Sequence, residues 1–161
     1  MSEQKLLSLD LMDLFIHSND KLGELKDDVN HRIDAISSCI NRIFNQTKKE
    51  SKIKKEYCEI CSFISPDSAS FELHHVAGRK HDFRMVTVCK KCHRELSDKQ
   101  KLRDYRWWMK NQAENTRKAF FLHGIYDILC LKSKKTGNSI YEEYASKLVE
   151  QIPILLKGES Q

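Results

Sequence analysis

The chain has 161 residues, 40% of them hydrophobic and 32% charged, with a net charge of +5. That length allows one modest domain with extensions, whose core is thin unless something staples it. No apolar run approaches the roughly 20 residues of a membrane span, and the start MSEQKLLSLDLMDLF lacks the basic end, apolar core and cleavage site of a secretory leader. The composition therefore predicts a soluble, cytoplasmic protein with no membrane partner. In that reducing setting, paired cysteines point to metal rather than to disulfides.

The charge is uneven. Residues 52–106 carry 13 Lys and Arg against 8 Asp and Glu, whereas the two flanks nearly balance. A local positive field favours polyanions, of which nucleic acid is the commonest for a protein of this kind.

Residues 1–46 place Leu11, Phe15, Leu22, Leu25, Val29, Ile33, Ile36, Ile40 and Ile43 at steps of three and four, with Ser18 filling the polar place. This is a helix stripe. Its length favours a coiled-coil or helical-hairpin seam between two chains, a homodimer, over packing on its own domain, although Gly23 weakens the helix locally. Residues 47–55 are polar and basic and read as a linker. Residues 56–106 hold the cysteines, and residues 107–161 form a helical extension. In that extension Phe120–Leu131 is apolar, and Ser139 with Glu142 matches a capping box that opens a last helix before Pro153.

Cys58 and Cys61 form one C-x-x-C, and Cys89 and Cys92 a second, 28 residues after Cys61. Each two-residue spacer lets both thiolates of a tight turn face one ion, and four thiolates complete a tetrahedron, so the pattern predicts structural zinc. Cys39 and Cys130 stand outside any pair and are expected to be plain buried residues. Between the knuckles, Phe71–Val76 and Met85–Val88 suit two strands joined by the loop AGRKHDF, and a polar helix-favouring stretch follows Cys92. His81, in that loop, is expected to be solvated.

A His-His pair, His74 and His75, on the first strand, flanked by two C-x-x-C knuckles of which the second runs straight into His93, resembles the HNH endonucleases over about residues 56–106. The resemblance implies an α+β chain, mainly helical, around a small central zinc-stapled ββα-metal module. It further implies a metal-dependent nuclease that hydrolyses phosphodiester bonds of DNA: Cys58, Cys61, Cys89 and Cys92 hold the structural zinc, His75 is the general base, and His74 and His93 are ligands of a catalytic Mg2+ or Mn2+. A neutral imidazole near its ordinary pKa of about 6.5 suits proton abstraction from water. Arg79, Lys80, Arg84, Lys91 and Arg94 are candidate nucleic-acid contacts.

Two positions depart from the family pattern. Arg84 stands where such nucleases commonly place an Asn that orients the base, and Arg offers no acceptor. Ser97 stands where a third His ligand is common, and with Gln100 it reads instead as a capping box that starts a helix, leaving Asp98 as a substitute ligand. Trp108 and Tyr105, at helical spacing, are expected in the core. The departures keep two other readings open: a zinc-containing nucleic-acid-binding module without cleavage, and a zinc-stapled protein-interaction subunit.

Overall fold

The computed structural model describes residues 21, 23–31, 34 and 38–157. The stripe positions Leu11, Phe15, Ser18, Leu22, Ile33 and Ile36 lie outside the described residues. Contacts divide the chain into two units, 1–39 and 40–161. In the first, the described residues are helical, with Leu25 and Val29 exposed.

The second unit is mainly helical around one small antiparallel hairpin. Strand β1 (Phe71–His75) pairs with β2 (Met85–Cys89) in the register Phe71 to Cys89 and His75 to Met85. Helix α1 (Lys90–Lys101) follows β2 without a loop, and α2 (Glu114–Thr136), α3 (Ile140–Val149) and α4 (Ile152–Lys157) complete the chain. Both strands occur where the alternation of β-branched and aromatic residues predicts them. The turn 58–62 before them is closed by hydrogen bonds from Cys58 N to Phe63 O and from Ser62 N to Cys58 O, at 2.8 and 2.9 Å.

Helix α2 buries residues on nearly every side, among them Phe120, Ile125, Asp127, Leu129 and Leu131. A helix apolar all round belongs inside a fold, and α2 packs against α1, α3 and α4. It also meets the hairpin. A Cβ built on Gly124 would sit 1.9 Å from the carbonyl oxygen of Val76, the residue after β1, so only glycine permits this approach. Gly137, at φ +70, ends the helix in the left-handed conformation that spares a Cβ penalty.

Several local expectations differ from the structure. Helix α1 begins at Lys90 and runs through Ser97, so Ser97 caps nothing and Gln100 is free for another task. Ser139 makes no side-chain cap; Asn138 Oδ1 instead accepts from Ile140 N at 3.2 Å. Pro153 sits in the first turn of α4, where its missing N–H costs nothing. Residues 105–108 form a 3-10 turn set by the Asp104 side chain accepting from Arg106 N, and this turns Trp107 inward at 2% exposure while Trp108 and Tyr105 face solvent. Residues 47–55 are tied to the hairpin: Ser51 is buried, and Lys55 N donates to Thr87 Oγ1 at 3.1 Å. Among the described residues, no helix is long and apolar enough to cross a membrane.

Candidate metal centre and histidine cleft

Three local structures bring the four knuckle cysteines together. Cys58 and Cys61 belong to the tight turn 58–62, in which Ser62 takes φ +59. Cys89 ends β2 and stands at the N-terminus of α1, and Cys92 lies in the first turn of α1. Their sulfurs all fall within 4.8 Å of one another, and Cys61 and Cys89 Sγ are 3.8 Å apart. A tetrahedron with Zn–S bonds of about 2.3 Å has edges of about 3.8 Å, whereas a disulfide needs about 2.0 Å. The sulfurs are therefore spaced for an ion and not for bonding to each other; all are free thiols.

Electrostatics agrees with that spacing. Burial pushes the Cys61 and Cys92 thiols up, and for Cys92 the facing charge of Cys58 adds to it. Burial also opposes the Cys89 thiolate, but the Cys92 backbone N–H and the surrounding thiols outweigh it and bring Cys89 down. Four thiolates so close repel strongly unless a cation stands among them. This donor set and geometry could hold a metal such as zinc.

Across the hairpin, β1 and α1 bring three histidines to a cleft of about 230 Å³, which Arg79, Lys80, Ser97 and Gln100 also line. His74 is 4% exposed, and its ring meets that of His93 edge to face at 5.2 Å between centroids. Burial, followed by the neighbouring charges of His93 and His75, pulls His74 down to about 3, so its imidazole stays neutral. His93 Nδ1 lies 2.8 Å from Glu72 Oε2. With Nδ1–H donating to the carboxylate, the lone pair falls on Nε2, the tautomer that ligating histidines use.

Burial lowers His75 as well, against the backbone carbonyl of Asp82, which favours the charged ring. Its Nδ1 is buried without a hydrogen-bond partner among the described residues. Gln100, released from capping, donates its amide to His74 Nε2 at 3.1 Å and to His75 O at 3.0 Å.

The chain matches no family model, curated protein or solved structure.

Not every candidate side chain joins the cleft. Arg84 makes a bidentate pair with Asp82, at 2.8 and 2.7 Å, and its guanidinium stacks 3.7 Å from the centre of the Phe121 ring. It lines a different hollow, beside Phe44 and Phe121. Lys91 borders a groove next to Cys61 and Cys89, and Arg94 is exposed on α1. Asp98 pairs with Lys101 at 2.7 Å. Among the described residues, the four cysteines are the only group of three or more His, Cys, Asp or Glu close enough to share an ion, so His74 and His93 have no third such partner.

His81, expected in solvent, is buried at 8% exposure, with Nε2 2.6 Å from Trp107 O and its ring against Phe120. Sequence reasoning misses Glu72 and assigns Gln100 to a cap instead of the cleft, although periodicity marks both. Glu72 is two residues before His74, on the same strand face. Gln100 is seven after His93, on the same helix face.

Proposed function

We propose that residues 56–106 form an HNH-type ββα-metal module and that the chain is a metal-dependent endonuclease acting on DNA. One observation carries the reading: a strand and a helix joined through a four-cysteine cluster also bring His74, His75 and His93 to one cleft rimmed by Arg79 and Lys80. The cysteines hold zinc as a staple. His75, lowered by burial, is neutral near pH 7 and takes the proton from the attacking water. His74 and His93 hold a divalent ion, Mg2+ or Mn2+, with water and phosphate oxygens completing its shell. When bound, the ion offsets the negative charge that builds on the phosphate and the leaving oxygen. Two imidazoles suit a first-row ion better than magnesium, which prefers oxygen. Mn2+ is therefore expected to support more cutting than Mg2+ at equal concentration.

The test is plasmid nicking with either ion, comparing the native chain with His75→Ala at equal zinc content. Loss of nicking in the variant supports the assignment, and equal nicking by both refutes the base. A second reading, a zinc-containing nucleic-acid-binding module that does not cut, draws on the Gln100 amide occupying the His74 Nε2 lone pair. DNA binding without nicking by the native chain would favour it.

We also propose that the segment of residues 1–46 pairs two chains, so that two sites reach opposite strands. Leu25 and Val29, exposed at 61% and 47%, support a partner on that face. A monomer mass by light scattering at micromolar concentration would refute the pairing.

A further inference from the structure

Next to the histidine cleft lies a larger one of about 530 Å³, and the two share His75, Arg79 and Lys80. Three separate segments supply its cations: Lys48 precedes and Lys52 ends the 3-10 turn Glu50–Lys52, Arg79 and Lys80 come from the hairpin loop, and Arg117 from the first turn of α2. The single carboxylate on its wall, Asp82, has both oxygens engaged by Arg84. All five cations are exposed. Gathering them against one neutralised carboxylate raises the local potential, and a polyanion lowers that energy.

We infer that Lys48, Lys52 and Arg117 continue the histidine cleft as a track for the sugar-phosphate backbone of a nucleic-acid strand, on residues outside the cysteine-bearing module. This rests on the nuclease reading for its ligand, but not on cleavage. The shape favours a chain over a single anion. The two clefts are contiguous through Arg79 and Lys80, so a phosphate held at the histidines has neighbouring phosphates within reach of the second set. These contacts position the strand and carry no base readout. The consequence is that strand binding depends on segments before and after the module, which a motif-sized fragment lacks.

The test measures binding without cutting, by fluorescence anisotropy of a labelled DNA duplex, in the His75→Ala background of the full chain. One variant adds Lys48→Gln, Lys52→Gln and Arg117→Gln. A control adds Lys110→Gln, Lys147→Gln and Lys157→Gln, which removes the same charge from residues lining neither cleft. Zinc content of both confirms the fold. Each phosphate contact contributes about 0.9 to the slope of log affinity against log salt on duplex DNA, so the track variant is expected to lose about 2.7 from the slope. Between about 50 and about 200 mM salt this makes its affinity fall about 40-fold less than that of its parent. The control is expected to keep the slope.

An unchanged slope in the track variant, or an equal loss in the control, overturns the track and leaves the cleavage reading standing. A selective loss of slope together with no nicking by the native chain upholds the track and overturns cleavage. No binding by the parent overturns the track, and joined with no nicking by the native chain it overturns cleavage as well.

Discussion

Gly124→Ala sets two known effects against each other at one atom. In an open helix the change is stabilising, because alanine loses less backbone entropy, by up to about 1 kcal/mol. Here the added Cβ would meet Val76 O at 1.9 Å and Val76 C at 2.6 Å. Ordinary contact between such atoms is near 3.5 Å, so helix and strand end must separate by roughly 1 Å or more. The neighbour is backbone, not a side chain that can swing aside. Overpacking of this kind costs about 1–3 kcal/mol, and a backbone neighbour that cannot swing aside puts it at the upper end, about 2–3, so the expected net loss is about 1–2 kcal/mol. For a chain of this length that lowers the thermal midpoint by about 2–8 °C.

Because Val76 directly follows His75, nicking activity is expected to fall as well, by up to about 100-fold for a misplacement near 1 Å. Zinc content should not change. Gly23→Ala, with nothing within 4 Å of the added Cβ, is the matched comparison and is expected to raise helical circular dichroism without lowering the midpoint. A midpoint for Gly124→Ala that stays level or rises would refute the reasoning.

Three further outcomes follow from the cysteine cluster, from the ion pairs of Asp127 with Arg103 and Lys99, and from the Glu72–His93 pair. The chain is expected to purify with one zinc, and a strong chelator should expose four additional fast-reacting thiols, the number in the cluster; Cys92→Ser should lose the metal. Because such sites supply about 10–16 kcal/mol, as much as a whole domain's stability, the hairpin should then fail to fold, as read by proteolysis. Asp127→Asn leaves Arg103 and Lys99 facing a neutral amide at a side chain 6% exposed, and should cost about 2–3 kcal/mol in urea unfolding. That is less than for a fully enclosed pair because Lys99 is 39% exposed. Glu72→Gln weakens the partner of His93 Nδ1 and is expected to lower divalent-ion-dependent nicking about 10–100-fold with an unchanged thermal midpoint.

The parts of the fold that short-range chemistry decides are legible in the sequence. The C-x-x-C spacing needs only a tight turn, and the strand alternation needs only a half-buried hairpin; both elements occur where expected. Trp107 and Trp108 show where such reading stops. A 3.6-residue period assigns Trp108 to the core, but the Asp104 side chain imposes a 3-10 turn, which rotates the pair and buries its neighbour. Ser97 misleads for a related reason. Its capping-box match is real as a pattern, yet the Cys89–Cys92 turn has already started the helix, and a helix cannot begin twice. Contacts across 26 or more residues, such as His81 with Trp107 O or Lys55 N with Thr87 Oγ1, leave no periodic trace at all.

Helix α2 touches the histidine strand at two removes. Gly124 abuts Val76, and Asp127 holds Lys99 and Arg103 on either side of Gln100, whose one amide pins both His74 and His75. A chain trimmed after residue 106 would retain every cysteine and histidine of both clusters, yet would have neither brace. For anyone borrowing this scaffold, a piece ending at residue 106 is therefore expected to keep the metal donors without the contacts that hold the histidines in register, and the difference is a helix that supplies no ligand.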